Sequence, residues 1–311
     1  MQIYTDDIEY AETIVSPLEE QWESIVTVTD TNISIIANDL FSDSPIYRSS
    51  VDSITLWQYL SIAEISQFSQ YDKVNDLCRR NVKIPHGLLC LAGQGNNFHG
   101  FRNRHWESPP GNIYLTAYFA PDQPIDHFGI GFVILAAISV VDAIDALPGL
   151  ANRAGIKWVN DILIDGAKVS GVLAFTQQEG DNVTSASLGI GINVKTTPIV
   201  DPTPFVPKAA SLSDFRGDSE KCESRFIFEK LINALNDNYE ILVSKGYREL
   251  LDRYRERSLI IGHEVEICSD KSSGDIELLA EGIVSGIGDN LELHLQGRSK
   301  PITRGRLILK S

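Results

Sequence analysis

No lysine occurs before Lys73, and the first sixty residues hold one base, Arg48, against eleven acids. Over all 311 residues there are 42 acids and 27 bases, a formal net charge of −15. A duplex-binding protein needs a basic stripe to displace counterions, so this composition argues against DNA as a partner. A secretory or organellar leader is basic and poor in acids, and the acidic start is not a standard targeting signal. Cysteine is equally scarce: Cys78, Cys90, Cys222 and Cys268 form no CxxC pair and have no histidine at ligand spacing. Free thiols in a reducing compartment are the expectation. The longest apolar run, GIGFVILAAISVV from Gly129 to Val141, is closed by Asp142. It is too short to span a bilayer and reads as a buried core helix. There are no internal repeats and no low-complexity tracts. These absences together describe a cytoplasmic protein that uses neither DNA nor a membrane.

Hydrophobic residues make up 43% of the chain and charged residues 22%, enough apolar surface for a sizeable core. Charge divides the chain unevenly. The first sixty residues carry a net −10, and the remaining 251 carry only −5. Within the acidic start, the runs IVTVTD and ISIIANDLF recur too often for a disordered tail. A helical pattern covers about 60–81, and GLLCLAGQG then reads as a buried strand entering a glycine-rich loop. NIYLTAYFA, 112–120, alternates like a half-buried strand. A long apolar helix follows over 127–147.

The Asp165–Gly166 pair between apolar runs signals a tight hairpin within GIKWVNDILIDGAKVSGVLAF, with SASLGIGINV as a further strand. Four prolines between 198 and 207 demand a loop. A helix pair is predicted over about 219–244 and 247–257. After it the periodicity becomes two, in short strands with glycine turns that describe a small β-barrel.

Three segments carry candidate chemistry. In GQGNNFHGFRNRHWESPPGN, Gly93, Gly95, Gly100 and Gly111 permit close backbone approach, and free amides there can cradle an anion. Arg102 and Arg104 add cationic donors suited to phosphate. In the second segment Lys157, Asn160 and Asp161 end an apolar stretch. If the chain turns at Asp165–Gly166, Asp161 and Lys168 approach each other across the hairpin. Such a lysine either binds a carboxylate or phosphate oxygen, or forms a solvated cross-strand pair. In LGIGINV, Gly189 and Gly191 mark close contact with a ligand or another strand. Asn193 there needs a partner if buried.

The order of these segments resembles the biotin protein ligase family, within the biotin/lipoate ligase superfamily. The residues that carry the likeness are Trp106-Glu107-Ser108-Pro109, Lys157-Trp158-Val159-Asn160-Asp161, Lys168-Val169-Ser170-Gly171-Val172-Leu173 and Gly189-Ile190-Gly191-Ile192-Asn193. Lys208-Ala209-Ala210-Ser211-Leu212 is similar to the family's Ala-Thr-Ser-Leu loop. Three features differ from the family pattern. The glycine/arginine loop is longer, Val159 replaces the usual proline, and the upstream biotin motif is matched in distance only by Ser66-Gln67-Phe68-Ser69-Gln70.

The resemblance implies an α+β fold: a mixed sheet with helices of the biotin/lipoate-ligase kind, plus a C-terminal SH3-like β-barrel. The chain then divides into an acidic N-terminal extension (1–57), a ligase catalytic domain (58–256) and the SH3-like domain (257–311). It implies formation of biotinoyl-AMP from biotin and ATP with Mg²⁺, then transfer to a lysine of a biotin carboxyl carrier domain. Lys168 would hold the carboxylate and α-phosphate, and Asp161 would orient Lys168 or the incoming amine. Arg102 and Arg104 would close over the adenylate. Gly93, Gly95, Gly100, Trp106, Lys157, Asn160, Gly171, Gly189, Gly191, Asn193, Ser66 and Ser69 would bind substrate and nucleotide. Asn160 would help hold the nucleotide and its metal, and no separate metal site of the protein is implied. The extension would cap the catalytic domain, dock the carrier or form a homodimer. The alternatives are a lipoate or octanoate ligase on the same scaffold and a non-catalytic binding relative.

Overall fold

A computed structural model describes residues 2–5, 10, 13–14, 24–29, 32–36, 86–95, 98–101, 104–216, 223–269 and 276–310. The helix expected over 60–81 lies outside the described residues, as do Ser66, Ser69 and Arg102.

The main sheet contains β1 (Gln2–Thr5), β2 (Ser24–Thr29), β3 (Asn32–Ile36), β4 (Leu88–Ala92), β5 (Ile113–Phe119), β6 (Ala154–Lys157), β7 (Asp161–Ile164), β8 (Ala167–Glu179) and β9 (Asn182–Ile192). Its order is β3-β2-β1-β4-β5-β9-β8-β7-β6. From β4 to β6 every neighbouring pair is antiparallel, whereas β1 runs parallel to both β2 and β4. The apolar runs of the acidic start therefore form strands β2 and β3, and β1 joins them to the main sheet.

The hairpin at Asp165–Gly166 forms as its sequence dictates. Both residues have positive φ, 48° and 77°. Two consecutive left-handed residues make the turn whose twist matches paired strands.

Helix α1 (Phe128–Asp145) lies across the sheet, packed on β8 and β9 and covered by α2 (Ser224–Lys245) and α3 (Arg248–Glu256). Among the described residues it is the one helix long and apolar enough to cross a bilayer. Twelve of its eighteen residues are buried inside the protein, however, as expected of a core helix. Asp142 gathers the polar groups of this helical layer: the Arg253 guanidinium donates to both its carboxylate oxygens, at 2.6 and 2.7 Å, and the Asn238 amide donates to it at 3.0 Å.

One expectation needs correction. All seven residues of β5 are buried, not every second one. Tyr239 of α2 stacks on Phe119, at 4.7 Å between ring centroids, while Phe98 of the glycine loop meets Tyr114 edge-on at 5.6 Å. Both faces of the strand are thus covered.

A second, antiparallel sheet follows α3, in the order β12-β11-β10-β13: β10 (Glu264–Cys268), β11 (Leu278–Ile287), β12 (Leu293–Leu295) and β13 (Arg306–Leu309). It is tied to the main sheet through β6, whose Ile156 amide donates to the Arg257 carbonyl at 2.7 Å. The Trp158 indole N–H donates to the Leu291 carbonyl at 2.7 Å.

Candidate active site

A cleft of about 620 Å³ opens over the middle of the main sheet. Its floor is the β7–β8–β9 ladder, and a β-bulge shapes it. β8 carries one extra residue opposite the step from Ile162 to Leu163, so Lys168 faces Leu163 while Gly171, not Ser170, faces Asp161. This brings the Lys168 ammonium to 2.6 Å from the Asp161 carboxylate, with both side chains about one-fifth exposed. Bulges commonly re-aim side chains in this way beside functional sites. The main chain of Lys168 is fixed as well: its amide donates to the Lys208 carbonyl at 2.9 Å, and its carbonyl accepts from Ala210 at 3.0 Å. The segment resembling Ala-Thr-Ser-Leu therefore runs beside Lys168 as a partner strand.

Gly171 pairs with Gly191 across β8 and β9, which leaves a bare patch on the sheet. The Trp106 indole lies on it. A Cβ at Gly171 would come within 2.9 Å of the indole, and one at Gly191 within 2.8 Å. The Lys168 ammonium stands 5.0 Å from the indole centroid, a cation–π distance. The two glycine motifs thus have one physical reason, the seating of an aromatic ring flat on the strands.

Lys157, at the end of β6, is 5% exposed, and its ammonium donates to the Phe205 carbonyl. Burial is the largest influence on it and pushes its pKa down to about 8; Asp161 opposes the shift, while Lys168, Arg306 and Arg104 add to it. The Asn160 side-chain amide donates to the Val172 carbonyl at 2.6 Å and braces the start of β7. The Trp158–Val159 peptide is cis, at the position where the family pattern has proline. Asn193 is 2% exposed; its amide donates to the Ala210 carbonyl at 3.1 Å, while its carbonyl oxygen has no partner.

The glycine loop forms the opposite wall as an irregular hairpin. The Gly95 amide donates to Ser108, that of Gly100 to Arg104 and that of Trp106 to Phe98. The amides of Gly95 and Gly100 are therefore bonded within the loop instead of turned towards an anion. Gly93 and Gly95 do not line the cleft; Gly95 instead accommodates the Phe98 ring, which a Cβ would meet at 2.5 Å. Arg104 lines the cleft but is exposed, and its guanidinium donates to the Phe101 carbonyl at 2.9 Å.

Among the residues singled out from sequence, the cleft gathers Lys168, Asp161, Arg104, Gly100, Trp106, Lys157, Asn160, Gly171, Gly189, Gly191 and Asn193. Sequence reasoning missed Phe205 and Arg306, which line it from the proline-rich loop and from β13. It also missed Asn112, a buried clamp whose carbonyl oxygen accepts from the amides of Val194, Lys195 and Thr196. Only the spacing of prolines around Phe205 hinted at any of these. Among the described residues, no group of three or more His, Cys, Asp or Glu side chains could hold a metal.

Residues 79–193 match the model of the biotin/lipoate A/B protein ligase family. The chain is 32% identical over 183 residues to the bifunctional ligase/repressor BirA of Bacillus subtilis, covering 58% of this chain and 55% of that protein. It is 28% identical over 209 residues to the biotin–[acetyl-CoA-carboxylase] ligase of Paracoccus denitrificans, covering 67% and 81%. The chain thus spans about half the length of its Bacillus relative. In fold it is similar to the biotin protein ligase of Aquifex aeolicus solved with biotin and ATP, with a TM-score of 0.55 and 20% identity over 76% of this chain and 93% of that one.

Proposed function

From the match of residues 79–193 to the biotin/lipoate A/B protein ligase family model, we propose that the chain is an ATP-dependent biotin–protein ligase of that family. The single observation that carries this reading is the Lys168–Asp161 pair, at 2.6 Å over a glycine-paved cleft. In the reaction a biotin carboxylate oxygen attacks the α-phosphorus of ATP, the bond to the bridging oxygen breaks and pyrophosphate leaves. The ε-amine of a carrier lysine then attacks the acyl carbon, loses its proton and displaces AMP, forming an amide. No covalent bond to the ligase is needed.

The first step brings two anions together, and fixed cations offset their repulsion and the charge that develops between them. Lys168 serves both oxygens. Asp161 keeps its ammonium aimed and accepts from the incoming amine. Trp106, flat on Gly171 and Gly191, walls the acyl chain and excludes water, which matters because a mixed anhydride hydrolyses. Arg104, with Arg102, closes over the adenylate from the loop, and Ser66 and Ser69 serve the biotin end. Mg²⁺ would accompany the nucleotide, since this ion is bound mainly by phosphates and water with one or two protein oxygens. The unpartnered carbonyl oxygen of buried Asn193 fits such a neutral oxygen ligand. When bound, the ion lowers the charge of the phosphates.

We read the second sheet as an SH3-like domain over 257–311, the ligase domain as 58–256, and 1–57 as an acidic extension. A biotin carboxyl carrier domain in the cytoplasm is the protein substrate.

The test is direct. The protein is incubated with ATP, Mg²⁺, biotin and a carrier domain, and the carrier is weighed by mass spectrometry. A gain of one biotinyl group is expected. Neither adenylate nor transfer, or transfer of lipoate or octanoate in preference to biotin, overturns the reading.

A further inference from the structure

The strand order gives the cleft two ends. Thr116 of β5 and Gly189 and Gly191 of β9 line one, and Lys157 of β6 lines the other. Four strand spacings separate β5 from β6, about 19 Å at the usual interval. Lys168 and Asp161, on β8 and β7, stand between them. Strands β5 and β9 bring no charged side chain to that end, which suits an acyl substrate. At the β6 end Lys157 and Arg306 surround Phe205, an aromatic ring among cations, which suits a nucleotide and its phosphates.

Two residues far apart in sequence hold Phe205 there. The Arg306 guanidinium carbon lies 3.5 Å from the Phe205 ring centroid, and the Phe205 carbonyl accepts from the Lys157 ammonium. Phe205 is 6% exposed, whereas Ile199 in the same loop is 95% exposed. The loop is therefore anchored at its Phe205 end, where Thr203 and Val206 also close a turn on each other at 3.0 and 3.1 Å. Arg306 owes its own position to the second sheet. It pairs with Cys268, and Gly305 before it has φ +132° and passes so near the Cys268 carbonyl that a Cβ would come within 2.8 Å.

We infer that Arg306 is a positioning residue for ATP, through which the C-terminal sheet clamps Phe205 and thereby sets the Lys157 ammonium at the nucleotide end of the cleft. The inference rests on the ligase reading above. Arg306 acts in two ways. Its planar guanidinium holds the ring by stacking, and its charge acts on Lys157 directly. The charged groups facing Lys157 are Asp161 from β7, Lys168 from β8, Arg306 from β13 and Arg104 from the loop. Asp161 favours the protonated form, and the three cations oppose it.

The test uses the full chain and two readouts: ATP binding by calorimetry from pH 6.5 to 10, and separate KM values for ATP and biotin in pyrophosphate exchange. Arg306→Gln should weaken ATP binding about tenfold, the scale of a desolvated cation–π contact. The KM for biotin should stay within about twofold, and the alkaline loss of ATP binding should move to higher pH because a cation beside Lys157 is gone. Arg306→Lys separates the two actions: the alkaline limb stays in place while ATP binding remains weak, since an ammonium does not stack as a plane. Phe205→Leu should weaken ATP binding as Arg306→Gln does, and Phe205→Tyr should restore it. Unchanged ATP affinity in Arg306→Gln, with the wild type active, overturns this inference alone. Equal losses for ATP and biotin in Arg306→Gln and Phe205→Tyr alike also overturn it, because they mean general damage to the fold. A wild type that binds no ATP overturns the ligase reading as well.

Discussion

The two walls of the cleft are built on different principles. On the floor, strand pairing fixes the side chains: the bulge in β8 aims Lys168 at Asp161, and Lys168 bonds through both its amide and its carbonyl to 208–210. On the loop side the cationic side chain is exposed, and Arg104 is held through one bond to Phe101. Preorganised charge is worth most where it cannot relax and water is scarce. A screened surface arginine contributes far less. On the ligase reading proposed above, the difference puts chemistry on the floor and retention of the intermediate at the loop.

The sharpest way to break that division is Lys168→Ala. Adenylate formation should fall by about 10²–10³-fold or more, the usual cost of removing a fixed group that stabilises the developing charge. Its melting temperature should stay near that of the wild type, because the partner strand bonds are made by the main chain. Rapid-quench assays and thermal unfolding check the two halves.

A smaller effect on chemistry is expected from Gly191→Ala, whose Cβ would come within 2.8 Å of the Trp106 indole. The ring must lift, costing about 1–3 kcal/mol of stability as overpacking does. Biotin affinity should fall with it, as measured by calorimetry. Unaltered affinity would show that the indole does not wall the acyl site.

Asn112→Ala tests the frame beneath both walls. It leaves the amides of Val194 and Thr196 without their acceptor, while that of Lys195 keeps the Gly111 carbonyl, at roughly 1–3 kcal/mol for each donor left buried and unpaired. Denaturant unfolding should show the loss, with kcat nearly unchanged in the fraction still folded.

pH provides a fourth probe. Lys157 titrates at about 8, below its ordinary value, because burial disfavours the charged form. ATP binding should therefore weaken as pH rises through about 8 and the ammonium is lost. Folding stability changes in the opposite sense: between about 8 and the ordinary lysine range the unfolded chain binds more protons, so this group's contribution to stability rises with pH. Lys157→Arg should hold ATP binding level across that range.

The smallest effect is expected from Arg104→Ala, about two- to fivefold faster loss of adenylate with formation little changed, in keeping with an exposed charge.

The same contrast explains what could be read from the chain beforehand. The hairpin was legible because Asp165–Gly166 is a local signal, and with its turn known Asp161 and Lys168 must approach. Gly191, with Gly189, was recognisable as a site of close approach and Gly171 only through the family likeness, though neither as the seat of Trp106, 65 residues before Gly171. Phe205 and Arg306 were not legible, because their meeting depends on how the second sheet docks beside β6. Nor was the full burial of β5, since alternating letters cannot reveal that a loop aromatic and a helix cover opposite faces. Local turn chemistry shows in sequence; contacts between distant layers do not.

One measurement tests the division of labour most directly. In a single turnover with ATP, Mg²⁺ and biotin, pyrophosphate release and adenylate escape are followed side by side in Lys168→Ala and Arg104→Ala. The floor variant should lose pyrophosphate release, while the loop variant should release it at nearly the normal rate and let the adenylate escape faster. Normal pyrophosphate release from Lys168→Ala, with the step lost in Arg104→Ala, would contradict the account.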